Sequence, residues 1–89
     1  MTSPQTIRLP MNASVRECAA LKQLLLELVK SSDAVLIDVT DVEIVDTAIL
    51  QLLFVFSRER NASDLSTIWQ GNSPAFRNAA TVLGLQHEF

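Results

Sequence analysis

Three consecutive apolar residues, Val35-Leu36-Ile37, stand between Ser31-Ser32-Asp33 and an acid-rich stretch that runs from Asp38 to Asp46. The segment Ala34 to Val39 is too short for a helix, and an apolar run without alternation suits a strand covered on both faces, as central parallel strands are. The chain on either side of it carries helical rather than strand periodicity. A strand so placed meets parallel neighbours through crossover helices, which puts the chain in the α/β class.

The flanking segments fill in that frame. Thr6 to Leu9 alternates polar and apolar residues, which predicts a short edge strand that Pro10 ends by removing a ladder donor. Ser14 with Glu17 three positions later has the capping-box pattern. Val15, Cys18, Leu21, Leu25, Leu28 and Val29 recur at helical spacing, predicting an amphipathic helix from there to about Lys30. Thr40 to Val45 reads as a connection, after which Asp46 or Thr47 caps a second helix through Ile49 to about Arg60. Leu65 to Gln70, with Ile68 and Trp69, reads as the next strand and Gly71-Asn72 as a turn. Ser73 as N-cap with Pro74 in the first helical position starts a third helix that runs to Leu83, where Gly84 ends it. Leu85 to Phe89 is either a short strand or a docked tail. The expected fold is a mostly parallel sheet with helices packed against it. At 89 residues and 48% hydrophobic composition, the chain holds one domain, 1–89, with one core and no room for a cleft between two domains.

Composition narrows the function. Ten acidic against seven basic side chains give a formal charge of -3, which removes the attraction to phosphate backbones that nucleic-acid binders use, so no nucleic-acid partner is expected. Cys18 is the only cysteine, so an internal disulfide is impossible and a cysteine-based metal site lacks ligands. No stretch approaches the roughly 18 to 20 apolar residues of a membrane span, and a cytoplasmic location is expected. Catalysis lacks its parts. Asp38, Asp41, Glu43 and Asp46 are clustered carboxylates without calcium-loop spacing, the only histidine, His87, lies near the C-terminus, and no nucleophile-base pair or phosphate-cradling glycine loop is present. No enzyme activity, catalytic residue, metal or cofactor is expected.

Read as a unit, Val35-Leu36-Ile37-Asp38-Val39-Thr40, then Val42, Val45-Asp46-Thr47-Ala48 and Leu50-Gln51-Leu52-Leu53 resembles the signature of the STAS family, the domain of anti-sigma-factor antagonists. Trp69-Gln70-Gly71-Asn72-Ser73-Pro74-Ala75-Phe76 and Val82-Leu83-Gly84-Leu85 resemble its last strand, turn and helix. The resemblance covers about 34–85. It implies a small STAS-like α/β domain acting as a protein-binding regulatory module, with a shortened N-terminal strand region, since Thr6 to Leu9 is the one clear opening strand. Two residues after Thr47 the family usually has glycine where this chain has Ile49, so a partner backbone approaching there would meet a side chain.

The resemblance also places a phosphorylation site at Thr47, whose modification would control partner switching. A phosphate there would gain from the helix N-terminus while confronting Asp46, Asp41 and Glu43. A plain capping role for Asp46 or Thr47 explains the same residues. The second helix is apolar on more than one face, so Ile49, Leu52 and Phe56 form an outward stripe against a partner, or the helix turns to bury Ile49, Leu53 and Phe56 and leaves Gln51 and Arg58 outside. Trp69 serves an interface or a half-buried strand position equally, and Cys18 reads as a small core residue. The expected partner-binding set is Asp41, Glu43, Asp46, Thr47, Ile49, Leu52 and Phe56. The partner implied is a serine/threonine kinase of the anti-sigma class or another signalling protein, as in two-component or chemotaxis systems. Asp46-Thr47 in place of Asp-Ser also resembles the STAS subunit of bacterial lipid-asymmetry ABC transporters, which makes a transporter subunit the alternative partner. A second copy of the chain is a third.

Overall fold

The computed structural model describes residues 5–16, 20–85 and 87–89. Its elements run β1 (Gln5–Arg8), β2 (Asn12–Ala13), α1 (Leu21–Leu28), β3 (Val35–Asp38), β4 (Ile44–Val45), α2 (Thr47–Ala62), β5 (Thr67–Gln70) and α3 (Pro74–Val82). Strands β1, β3 and β5 form one sheet in the order β1-β3-β5, with β3 in the centre and both pairings parallel. Ile7, Ile37 and Trp69 share one row of this sheet, and Thr6, Leu36 and Ile68 the next. The apolar triplet is therefore the central strand, as its composition predicts.

Its coverage differs from the expectation. Val35 and Ile37 are fully buried in a cluster with Leu21 and Leu25 of α1, Ile49, Leu50, Leu53 and Phe56 of α2, and Phe76 of α3. All three helices thus bury their apolar sides against one face. On the other face Leu36 is only half-buried, while Thr6 and Ile68 are exposed. A three-stranded sheet with its helices on one side has an open back, so the unbroken apolar run does not report cover on both faces here.

Two further corrections come from the segment between β1 and α1. The helix expected from Ser14 begins at Leu21, after an Ala20 N-cap whose side chain makes no capping bond. Upstream, Ala13 is committed to β2, which pairs in parallel with β4 inside the stretch expected to be a plain connection. The Val15 amide donates to Asp46 Oδ2 at 2.9 Å, tying this stretch to the start of α2. Glu17, the second half of the expected capping box, and Cys18 lie outside the described residues. At the other end, the described residues 85 and 87–89 form a docked tail rather than a strand. Phe89 packs edge-on against Trp69 and Phe76, with ring centroids 4.6 and 5.3 Å apart.

Arg60 closes the amino-terminal end of the sheet. It sits in the last turn of α2 and is 0% exposed. Its guanidinium donates to the carbonyls of Leu28 (2.7 Å), Ser31 (3.0 Å), Asp33 (2.9 Å) and Ser66 (2.6 Å), and to Thr67 Oγ1 at 3.0 Å. Those acceptors lie at the end of α1, just before β3 and at the start of β5. A buried cation is costly unless its donors are satisfied. Here backbone carbonyls rather than a carboxylate satisfy them, and burial pulls the guanidinium pKa below its ordinary value. Such a group stays protonated at neutral pH regardless. Arg60→Ala would take the arginine donor from the Ser31 and Asp33 carbonyls and one of two donors from those of Leu28 and Ser66, and is expected to cost about 3 kcal/mol, read as a lower midpoint in urea unfolding. Arg60→Lys should recover little of the loss, because an ammonium cannot span the same fan of acceptors.

Candidate functional site

The carboxyl-terminal end of the sheet is where the expected site residues collect. Asp38 ends β3, and the loop that follows it reaches α2 through β4. Three sets of contacts hold this loop. The Met11 carbonyl accepts from the amides of Glu43 (2.9 Å) and Ile44 (3.0 Å), and the Ala13 carbonyl accepts from the Asp46 amide at 3.2 Å. Ser73, the N-cap of α3, donates its hydroxyl to the Val42 carbonyl at 2.7 Å and accepts from the Phe76 amide at 3.0 Å. Gly71 lies on Thr40 at φ +102°, so close that an added Cβ would fall 2.7 Å from the Thr40 nitrogen. No side chain fits there, and that backbone angle favours glycine in any case.

Asp46 is the joint of the site. As N-cap of α2 it accepts from the Ile49 amide through Oδ1 at 2.9 Å, while Oδ2 takes the Val15 amide. One carboxylate thus caps a helix and fastens a separate segment. Thr47 follows as the first residue of the helix. It is exposed, and its hydroxyl makes no hydrogen bond among the described residues. The alternatives left open for these two positions separate cleanly: the cap is Asp46, and Thr47 is spare.

Asp41 and Glu43 are also exposed, but they differ. Asp41 is paired with Arg8, Nη2 to Oδ2 at 2.8 Å, across the surface from β1. Glu43 has no side-chain partner among the described residues. Asp38 accepts from the Thr40 hydroxyl at 2.5 Å and from the Thr40 amide at 2.9 Å. These bonds, the hydroxyl first, hold its pKa below the ordinary aspartate value, with Arg8 adding a smaller pull. Among the described residues no group of three or more His, Cys, Asp or Glu is placed to hold a metal ion.

The outward stripe on α2 is corrected. Ile49 is 2% and Phe56 3% exposed, both in the core, so the helix turns in the alternative way, with Leu53 inside and Gln51 and Arg58 outside. All three helices pack on the sheet face of Val35 and Ile37, and that face draws in the widest part of the helix. Leu52 alone of the three stays near the surface, in an apolar groove between α1 and α2 with Leu26, Val29 and Val55. Trp69 is half-buried between Phe76 and Phe89.

Sequence reasoning missed three residues that the fold brings to this end. Met11, Val15 and Ile44 are large apolar side chains, each more than half exposed. The Met11 carbonyl and the Val15 amide bond to the same loop that carries Ile44. They therefore border the start of α2. The sequence pattern draws Val15 into the helical periodicity of the first helix, while Met11 and Ile44 flank or lie in two-residue strands, which carry no period.

The family model described as Mlab, STAS domain, matches the chain over residues 2–88. The chain belongs to the STAS family. Neither a curated protein nor a solved structure matches it. No helix among the described residues of this STAS domain is long and apolar enough to cross a membrane.

Two outcomes follow from the site. Asp46→Ala should lower stability by about 1 to 2 kcal/mol and speed hydrogen exchange at both the Ile49 and Val15 amides. Asp38 has a depressed folded pKa, so its stabilising contribution is present above the unfolded aspartate pKa of about 3.9 and is lost as pH falls through the lower folded value. Asp38→Asn should therefore flatten the acid limb of a stability-against-pH curve in that window.

Proposed function

We propose that this STAS domain is a non-catalytic protein-docking module that binds its partner over the start of α2. The observation that carries this is the exposed apolar set Met11, Val15 and Ile44 beside the spare Thr47 hydroxyl. A solvated loop needs no such cluster, whereas the desolvated centre of a protein interface does. Asp41, Glu43, Asp46 and Thr47 form its polar rim. In this reading phosphorylation of Thr47 weakens the complex, because the phosphate adds negative charge beside Glu43 and the Asp46 carboxylate. The partner is then a kinase of the anti-sigma class or another signalling protein.

The family description, which names Mlab, and the Asp46-Thr47 pair favour a second reading, a permanent docking subunit of a lipid-asymmetry ABC transporter. The same face serves both. What separates them is whether Thr47 carries phosphate in the cell and whether binding responds to it.

The test uses the full chain recovered from its native cells with its bound partner. Ile44→Asp is expected to abolish co-purification while leaving the folded spectrum unchanged. Retained binding would rule out this face under either reading. Phosphate on Thr47 by intact-mass analysis, with Thr47→Glu weakening the partner about tenfold or more, equivalent to about 1.4 kcal/mol, supports switching. Co-purification with transporter components that survives Thr47→Glu supports the permanent subunit.

A further inference from the structure

A cavity of about 410 Å³ opens against α3, beyond the carboxyl ends of β3 and β5, and shares no lining residue with the proposed docking face. That volume lies within the range of small-molecule sites, and crevices at the carboxyl ends of parallel strands are where α/β folds hold ligands. Its floor is apolar, from Val39, Phe76 and Ala80, and its walls include Trp69 and Phe89. The three rings are packed on one another, Phe89 edge-on to Trp69 at 4.6 Å and to Phe76 at 5.3 Å, so a ligand would meet the outer surface of this aromatic cluster rather than enter between its rings.

The charges decide the ligand class. The protein carries a formal charge of -3, yet no Asp or Glu is among the described residues that line the cavity, while Arg77 and His87 both do. The Arg77 guanidinium bonds to Asn72 Oδ1 through one nitrogen and is exposed, which leaves most of its donors available. His87 makes no hydrogen bond among the described residues. Ser73 and Thr81 already use their hydroxyls, the first on Val42 and the second on the Arg77 carbonyl at 2.9 Å, so neither selects the ligand by donation.

From this arrangement we propose that the cavity binds a planar aromatic anion, its ring against Trp69, Phe76 and Phe89 and its carboxylate or phosphate against Arg77. The site is separate from the docking face and stands whether or not that face binds a protein. Occupancy has a route to the loop before α2, because Ser73, on the cavity wall, holds the Val42 carbonyl.

The probe is 2-naphthoate, titrated into the isotope-labelled full chain and followed by amide and indole NMR, with 2-naphthamide as the uncharged control. The expected result is saturable shifts at the Trp69 indole and at the Gly71, Phe76 and Ala80 amides, about tenfold weaker binding of the amide, and a similar loss in Arg77→Gln. Arg77 is exposed, and an unchanged spectrum of the free variant shows that it folds. Absence of saturable shifts overturns the proposal. So do equal affinities for naphthoate and naphthamide, unchanged affinity in Arg77→Gln, or shifts confined to the groove between α1 and α2. If phenyl phosphate competes more strongly than benzoate, the natural ligand is a phosphate ester; the reverse order makes it a carboxylate.

Discussion

The fan of hydrogen bonds from Arg60 is the constraint on which the arrangement of helices depends. Three short parallel strands cannot be joined by hairpins, so every connection crosses from one end of the sheet to the other and returns. At the amino-terminal end those returns bring together carbonyls from the end of α1, the approach to β3 and the start of β5. A single planar group with five donors answers them at once. Its position in the last turn of α2 means that the register of this helix against the sheet is set from its carboxyl end. Ile49, Leu50, Leu53 and Phe56 then face the core as a consequence, and the outward stripe that hydropathy alone allowed is closed off.

The opposite end is built on a different principle. There the strands end in side-chain caps rather than a buried cation. Asp38 folds back on Thr40, Ser73 starts α3 while gripping Val42, and Asp46 starts α2 while gripping Val15. Asp38 works locally, whereas Ser73 and Asp46 each cap a helix and also tie together segments about thirty residues apart. The loop they enclose is acidic and exposed but not loose, which suits a surface that must present a fixed shape. An interface made from mobile acids would spend binding free energy on ordering them.

The sequence revealed the elements that depend on local chemistry. The central strand, the Asp46 cap, the Ser73-Pro74 start of α3 and the turn at Gly71 were all legible because a few adjacent residues decide them. What stayed hidden depends on distant partners. The β2-β4 ladder is two residues long on each side and has no period to detect. Ahead of α1, Val15 is held by a carboxylate thirty-one positions away, a contact that no local pattern announces. Likewise Arg60 reads as an ordinary surface arginine at the end of a helix, since nothing in its neighbourhood announces that five acceptors converge on it. The exposed Met11, Val15 and Ile44 come together through those same hidden contacts, so the apolar part of the proposed docking face was out of reach while its acidic rim, Asp41, Glu43, Asp46 and Thr47, was not.

A charge added at Thr47 would act within narrow physical limits. The N-terminal turn of a helix favours an anion through its free amides and dipole, but the Ile49 amide is already taken by Asp46, and the neighbouring carboxylate of Glu43 has no cation beside it. Arg8 offsets Asp41 and, more weakly, Asp38. The added charge would therefore meet repulsion at the surface, against partial compensation from the remaining helix amides. It could not readily unwind α2, whose hold on the core begins at Ile49 and is completed by Arg60 at the other end. The response would stay in the first turn, the β2-β4 ladder and the apolar residues beside them, which is the region a docked protein would cover. A fold anchored at both ends in this way allows the electrostatics of one small face to change while the rest of the domain keeps its shape.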